Sequence, residues 1–381
     1  MMEHIYLDNA ATTPILPEVI ACMNEAMQEI FGNPSAINYH GRQAKQVLER
    51  CRQVMADSLN AKSASEIIFT SGGTESDNTA IIQSALTRQN EGKHIITTVI
   101  EHEAVLRSMQ YLQKLGFEIT YLSVDENGQI SLQELKEALR PDTILVSIMA
   151  GNNEVASYLP LEQIGQIVKQ TNAWFHTDAV QAYGITAIDV QKYQIDLLSV
   201  SAHKLGGPKF IGFLYQRTGI DFGAYLKGGS QETNRRAGTQ NVPAIAGFAK
   251  AVEIAQQTLE QKQASYYELK NYLLTSLTNA QINFEVNGVH GKDELAHIVN
   301  IWFKGCLNSL LLTNLDLAGI SVSAGSACTA GSLEPSHVLA AMYGEHPRVQ
   351  ESLRFSFGPT TTKKDIDLTV QALVKIIKRI K

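Results

Sequence analysis

The stretch EIIFTSGGTESDN, residues 66–78, decides the class of fold. A short apolar run is followed by two glycines, and a threonine then opens a helical pattern. Further apolar runs follow along the chain, and amphipathic helical patterns lie between most of them. Because this alternation is typical of crossover units, it predicts a mostly parallel sheet that is covered by helices on both faces.

Two regions with different patterns divide the chain. The strands predicted for the first region are 66–71, 94–99, 117–122, 143–149, 173–178, 196–201 and 210–215, and the helices between them include 75–88, 103–115, 131–139 and 161–170. From about residue 256 the pattern changes to a long helix, spaced strands at 282–286, 297–303 and 351–357, and a terminal helix. We expect a large α/β domain over 15–255 and a smaller α+β domain made of 1–14 and 256–381.

The composition is that of an ordinary globular protein. The 381 residues are 44% hydrophobic and 18% charged, and the net charge of −6 without a basic run argues against direct nucleic-acid binding. No apolar run approaches the roughly 18 residues of a membrane span, and the N-terminus lacks the pattern of a secretory signal. Four scattered cysteines suggest neither a disulfide framework nor a metal motif, so we expect a cytoplasmic protein without a metal site.

Polar clusters follow the predicted strands where their carboxyl ends meet at one edge of the sheet. Gly73 and Thr74 begin a helix, which suits either a phosphate or a simple N-cap. The other clusters contain His102, Asn152, Asp178 with Gln181, and the run Ser201-Ala202-His203-Lys204. Because active sites gather at this edge of such sheets, the coincidence favours one site over several structural roles.

Pyridoxal phosphate is a cofactor whose groups match these side chains. Its phosphate needs amides and hydroxyls, here Thr74, Ser201 and His203. Its ring nitrogen needs a buried carboxylate to stay protonated, and Asp178 fits that role. Its aldehyde needs a lysine, for which Lys204 stands at the next strand end. A lysine after a strand is unremarkable alone, so the prediction depends on the whole set.

One cysteine lacks an apolar neighbourhood. Cys22 and Cys51 recur with apolar residues at helical spacing and are expected in the core, and Cys306 follows a glycine at a strand-to-helix junction. Cys328 instead lies in SAGSACTAGS, residues 323–332. It is either a chance residue of a linker or a reactive group on a loop.

The order of motifs closely resembles that of the cysteine desulfurases, almost from end to end. The matching motifs are DNAATTP (8–14), FGNPSA (31–36), SGGTESDN (71–78), EHEAV (101–105), NNE (152–154), HTDAVQ (176–181), SAHK (201–204), RRAGT (235–239), SAGSACT (323–329) and RFSFG (354–358). These enzymes use pyridoxal phosphate to take sulfur from L-cysteine for iron–sulfur clusters and thionucleosides. The resemblance implies the transferase fold type I, like that of aspartate aminotransferase, and a homodimer with sites near the subunit interface.

The resemblance also assigns roles around the cofactor. Lys204 would form the Schiff base, Asp178 would face the ring nitrogen, and His102 would stack on the ring and relay protons. The ring hydroxyl would be addressed by Asn152 and Gln181. The phosphate would be held by Gly73, Thr74, Ser201, His203 and, from the other subunit, Thr239.

On the substrate side, the resemblance assigns the carboxylate of L-cysteine to Asn33 and Arg354. Cys328 would be the nucleophile that takes the sulfur as a persulfide and leaves alanine. A small-residue loop over about 323–334 would let it enter the pocket and then reach an acceptor protein. The acceptor would be an iron–sulfur scaffold, whose cluster Cys328 could contact, or a tRNA-thiolation enzyme.

Several positions depart from the family pattern without removing a chemical group. Ala150-Gly151 stands where His-Val is common, and Val155-Ala156 replaces Ile-Gly. Ala202 and Ser230 each stand where glycine is common. These changes concern the shape of the pocket.

Three other functions stay open at this point. A selenocysteine lyase would share nearly every residue named above. An aminotransferase or a kynurenine-cleaving enzyme of the same fold would not need Cys328. A dimeric scaffold with a silent site would need none of the lysine, carboxylate and arginine that are present.

Overall fold

The computed structural model describes residues 4–289, 291, 294–325 and 335–380. Its strands are β1 Ile5–Tyr6, β2 Ile67–Thr70, β3 His94–Thr98, β4 Glu118–Leu122, β5 Thr143–Ser147, β6 Trp174–Asp178, β7 Leu197–Ser201, β8 Gly212–Gln216, β9 Phe284–Asn287, β10 Ile298–Phe303, β11 Ile320–Ser321 and β12 Ser352–Ser356. None of the helices in this part of the chain combines the length and the apolar character that a membrane crossing needs.

The α-helices are α1 Pro17–Glu29, α2 Tyr39–Ser58, α3 Gly73–Asn78, α4 Ser84–Arg88, α5 Glu103–Lys114, α6 Leu132–Ala138, α7 Leu161–Val168, α8 Gln231–Asn234, α9 Val242–Gln257, α10 Leu259–Asn279, α11 Asn308–Leu317, α12 His337–Tyr343, α13 Arg348–Glu351 and α14 Lys363–Ile380. A π-helical turn over Thr79–Gln83 joins α3 to α4, so the predicted helix over 75–88 is one continuous element that begins slightly earlier.

The large sheet confirms the predicted fold class. Its seven strands lie in the order β2-β8-β7-β6-β5-β3-β4. All neighbouring pairs are parallel except those that β8 makes with β7 and β2. The connection over 202–211 contains no α-helix, and it is shorter than the crossover that a parallel return requires.

Burial explains why these strands lack alternation in the sequence. Strands β2, β5 and β7 are buried at every residue, because helices cover both faces of the sheet. Helix α5 shows the complementary pattern, since Val105, Met109 and Leu112 are buried on one side. The core therefore lies on both sides of the large sheet, and it supports the strand ends rigidly.

Two smaller sheets complete the structure. Strands β12, β10 and β9 form an antiparallel sheet close to the predicted positions. Strand β1 pairs in parallel with β11, so the beginning of the chain joins the C-terminal region. The division into domains at residues 14/15 and 255/256 stays a prediction.

The cysteines pack largely as expected. Cys51 and Cys306 are 6% and 2% exposed, whereas Cys22 is only partly buried at the margin of the core. On α1, Val19 and Ala26 are buried, whereas the side chain of Met27 is 54% exposed although it follows at helical spacing.

Candidate active site

A cavity of about 460 Å³ opens at the carboxyl-terminal ends of the large sheet's strands. This is the edge at which open α/β sheets bind their ligands. The sequence-predicted site residues that line it are Gly73, Thr74, His102, Asp178, Gln181, Ser201, His203, Lys204 and Arg354. They come from segments far apart in the chain, and the fold brings them together.

One end of the cavity suits an anion. Helix α3 begins there at Gly73, and the first N–H groups of a helix have no carbonyl partner within the helix. A Cβ at Gly73 would lie 2.6 Å from Val180 Cγ2, so a side chain would force the two segments apart. Ser201 and His203 add a hydroxyl and an imidazole at the same cavity.

His203 is a neutral donor at this end. Burial, with a smaller effect of Lys204 and Lys209, lowers the pKa of His203 to about 4. Its Nδ1 lies 3.1 Å from Thr12 Oγ1. A neutral ring can offer one N–H to an oxygen of a bound ligand without adding charge.

Three titratable side chains meet near the middle of the cavity. One carboxylate oxygen of Asp77, one carboxylate oxygen of Asp178 and one ring nitrogen of His102 all lie within 4.8 Å of one another. The Oδ1 of Asp178 accepts a hydrogen bond of 2.9 Å from the Val180 amide. Burial raises the pKa of Asp178, while His102, Lys204 and the Val180 amide act in the opposite direction.

Asp77 is the second carboxylate of this buried pair. Burial, and then the charge of Asp178, raise its pKa well above the usual range. Its Oδ1 makes no hydrogen bond within the described residues, although His176 Nε2 is 3.7 Å away. Burial also lowers the pKa of His176 to about 3, so that ring is neutral. His102 and Lys204 act to lower the pKa of Asp178 but not that of Asp77, so Asp178 is the buried carboxylate that can serve a cation in the cavity.

Lys204 and His102 face this carboxylate from two elements. The Nζ of Lys204 donates to the carbonyl oxygens of Ala10 and Ala11, at 2.6 and 2.9 Å. The Nδ1 of His102 accepts from the Ala104 amide at 3.1 Å, at the start of α5. In the neutral imidazole the proton then resides on Nε2, which leaves a donor at the other side of the ring.

Arg354 is fixed on β12 and is only 1% exposed. Its Nη2 donates to Asp8 at 2.7 Å, and its Nη1 donates to the Asn153 carbonyl at 2.8 Å. Its Nε has no hydrogen-bond partner among the described residues. The planar guanidinium keeps donor capacity for an anion, as recognition of a carboxylate requires.

Three predicted residues do not line this cavity. Asn152 uses its Nδ2 on the Ile100 carbonyl at 3.0 Å and its Oδ1 on two backbone amides. Asn33 is exposed, and its Oδ1 accepts from the Ser35 amide. Thr239 lies beside a separate cavity of about 140 Å³. Cys328 lies outside the described residues.

Sequence reasoning missed several residues of the site. Asp77 follows Thr74 within one helical turn, and that spacing alone could have placed it on the inner face of α3. Ala10 and Thr12 line the cavity, and Asp8 pairs with Arg354. These N-terminal residues carry no strand or helix signal that would point to the site.

Known proteins resemble the chain over its whole length. The model of the family aminotransferase class-V matches residues 5–369. A protein of Bacillus subtilis strain 168, named putative cysteine desulfurase IscS 1, is 48% identical over 380 residues, which span 100% of both chains.

Solved structures extend the likeness to three dimensions. One described as a NifS-like protein has a TM-score of 0.92 and 36% identity, and the match covers 99% of this chain and 100% of that one. Another, described as SspA in complex with cysteine, has a TM-score of 0.80 and 35% identity over 94% of this chain and 100% of that one.

Proposed function

Since the chain belongs to the aminotransferase class-V family and is a pyridoxal-phosphate-dependent cysteine desulfurase, we propose that Cys328 takes the sulfur of L-cysteine at the cavity beside Lys204. The observation that supports this site is the meeting of Lys204, Asp178 and Arg354, from three separate elements, in one cavity. The amine of Lys204 matches the aldehyde of the cofactor, and the carboxylate of Asp178 matches its ring nitrogen. The guanidinium of Arg354 matches the carboxylate of an amino-acid substrate.

The residues present fit pyridoxal phosphate. When bound, the cofactor supplies a protonated ring that withdraws electrons from the substrate. Lys204 would anchor it covalently, and Asp178 would accept a hydrogen bond from its ring nitrogen. The phosphate would lie against Gly73, Thr74, Ser201 and His203, where neutral donors and the helix terminus favour an anion.

The remaining steps belong to side chains of this chain. Arg354 would hold the substrate carboxylate, and its pair with Asp8 keeps the guanidinium in position. Once the amine of Lys204 is released from the cofactor, it would remove the proton from Cα of the substrate. His102 would relay protons through Nε2, because its Nδ1 is occupied by the Ala104 amide. The thiolate of Cys328 would then attack the substrate sulfur, so that a persulfide S–S bond forms and the substrate Cβ–S bond breaks. Protonation of the remaining carbon fragment at Cβ and Cα would give alanine.

We further propose a homodimer. Large apolar side chains are exposed on the segment around α1 and α2 and beside the cavity, namely Met27, Phe31, Ile37, Tyr39 and Phe210. Phe210 is 82% exposed and also lines the active-site cavity. A second subunit on this surface would bury these side chains and could bring its Thr239 to the phosphate.

We also propose a class of sulfur acceptor and a location in the cell. We expect an acceptor protein of iron–sulfur cluster assembly or of tRNA thiolation, and we expect the enzyme to work in the cytoplasm. Pull-down of the persulfide-loaded enzyme with each class of acceptor would separate the two.

The test of the nucleophile compares wild type with Cys328→Ala, and uses Cys22→Ala as the matched cysteine control. Each purified enzyme is given L-cysteine while alanine, protein-bound persulfide and the visible cofactor band are followed. We expect Cys328→Ala to keep its colour and to lose alanine formation by about 100-fold or more. Cys22→Ala should form alanine and persulfide normally.

Equal turnover by Cys328→Ala and wild type would contradict this role. The protein would then belong with relatives that transfer or cleave without a cysteine nucleophile, such as aminotransferases.

A further inference from the structure

Among the described residues, a second cavity, of about 330 Å³, shares only Lys204 with the active-site cavity. Its walls come from the N-terminal segment, the turn after β7, the junction of α9 with α10, and the segment between β12 and α14. This volume is within the range of small-molecule sites, which begin at about 300 Å³. The cavity therefore lies where the regions around the large and small sheets meet.

The charge of this lining is opposite to that of the whole molecule. The described residues of the lining include Lys204 and Lys262 but no aspartate or glutamate, although the chain carries a net charge of −6. Lys204 donates to the Ala10 and Ala11 carbonyls. Lys262 is thus the cation that can meet a ligand there.

Lys262 lacks a counter-ion within the described residues. Eight positions further along α10, Lys270 pairs with Glu294 at 3.0 Å and donates to the Leu295 carbonyl. No acidic side chain pairs with Lys262 in the described part of the chain. Burial lowers the pKa of Lys262 to about 8. Most Lys262 side chains are therefore protonated at neutral pH, in a setting that disfavours an unpaired charge. An anion beside Nζ would relieve this cost.

The rest of the lining selects among anions. Leu16, Ile185, Leu205 and Ile254 provide an apolar wall, while Thr258 Oγ1 is already bonded to the Ile254 carbonyl. A phosphate dianion would leave one charge without a cationic partner at this wall. A ligand with one carboxylate and an apolar body matches both parts.

We propose that this second cavity binds a small organic monocarboxylate, whose carboxylate pairs with Lys262 and whose apolar part packs on Leu16, Ile185 and Leu205. The site goes beyond sulfur transfer and does not depend on it. Lys204 belongs to both cavities, so a ligand there contacts the element that carries the proposed cofactor lysine.

The test measures binding of hexanoate to the cofactor-loaded enzyme by calorimetry, with hexanamide as the uncharged probe of the same length. Lys262→Met removes the charge and keeps an unbranched apolar side chain. Lys363→Met is the matched control, because Lys363 is exposed and already pairs with Glu268 at 2.6 Å.

We expect saturable hexanoate binding to wild type and to Lys363→Met. Hexanamide should bind wild type at least about 10-fold more weakly, and Lys262→Met should bind hexanoate at least about 10-fold more weakly. Thermal unfolding provides a second readout. Hexanoate should raise the midpoint temperature of unfolding of wild type but not that of Lys262→Met. Without ligand, Lys262→Met should already unfold at a higher temperature than wild type.

Two results would overturn the proposal. One is the absence of saturable hexanoate binding to wild type. The other is binding that survives unchanged in Lys262→Met, because the carboxylate would then occupy another place, such as the surroundings of Arg354.

Discussion

Ala156 shows how a single residue can store strain near a functional site. It is a buried alanine with a φ of +65°, a backbone conformation that favours glycine. A left-handed conformation costs an L-residue about 1–2 kcal/mol, and glycine escapes most of this cost. Its carbonyl accepts from the Leu295 amide at 2.7 Å, so the turn is held in this conformation by tertiary contacts.

We expect Ala156→Gly to raise the free energy of unfolding by about 0.5–1 kcal/mol, because relief of strain exceeds the loss of chain entropy. The matched control is Ala150→Gly, at a buried position with ordinary backbone angles. That variant should lower the free energy of unfolding by a similar amount. Denaturant titration of both variants measures the difference, and a destabilised Ala156→Gly would refute the interpretation.

Glu101 makes stability depend on pH. It is 0% exposed, and its Oε1 accepts from Thr98 Oγ1 and from the Met149 amide. Burial raises its pKa from 4.5 to about 8. Between these values the folded chain keeps a proton that the unfolded chain has released. The stability that this group contributes is therefore complete below pH 4.5 and declines as the pH rises toward 8.

We expect Glu101→Gln to flatten this dependence. One proton corresponds to at most about 1.4 kcal/mol per pH unit, so wild type should lose stability relative to the variant between pH 5 and about 8. Chemical denaturation at several pH values gives the two slopes. Parallel slopes would show that Glu101 is already ionised in the folded protein.

At the scale of elements, the turn over α8 is held by one buried carboxylate. Glu232, Thr233 and Asn234 have φ values of +48°, +57° and +64°. The carboxylate of Glu232 accepts from Arg52 at 2.6 and 3.1 Å, from the Phe69 amide at 3.1 Å and from Gln240 at 3.0 Å. The turn leads directly into the loop with Thr239.

We expect Glu232→Gln to cost about 3 kcal/mol of unfolding free energy, because Arg52 would lose its only buried counter-charge among the described residues. Glu49→Gln is the control, since Glu49 also pairs with Arg52 but is 51% exposed at its side chain. It should cost less than about 1 kcal/mol. Faster cofactor release from Glu232→Gln than from Glu49→Gln would link the turn to the proposed role of Thr239. Equal stability of the two variants would contradict the argument.

Elements were more predictable than the orientation of their side chains. Seven strands of the large sheet could be predicted because runs rich in Ile, Val and Leu have few alternatives between glycine-containing turns. The prediction of burial was wrong for the edge strand β4, in which only Leu122 is buried. Lys204 and Asp178 meet in one cavity because strand ends share an edge. The strand order was not predictable, since it depends on contacts between distant segments. Asn152 stands at the expected strand end, but two amides of its own turn and the carbonyl of Ile100 satisfy its side-chain amide.

At the scale of the whole molecule, the exposed apolar surface beside the cavity predicts that a charge introduced there weakens the proposed dimer. Ile37 is 93% exposed, and we expect Ile37→Glu to weaken the proposed dimer and to increase cofactor loss. Leu317→Glu is the control, because Leu317 is 73% exposed on α11, which packs against α14. Sedimentation of both variants measures assembly. A monomeric wild type, or equal effects of the two charges, would contradict the dimer.

The pairing of β1 with β11 has a consequence for biosynthesis. The Ala10 amide donates to Ser356 Oγ, 346 positions later in the chain, and the same N-terminal segment supplies the carbonyls that hold Lys204. Ser356 is synthesised long after Ala10, so this contact can form only once the intervening part of the chain has been translated. The cofactor cavity is thus completed only after the segment that carries Arg354 has been synthesised and has folded against the N-terminal segment. A message cut short before the codon for Arg354 would yield a product that has every strand of the large sheet but no completed pocket.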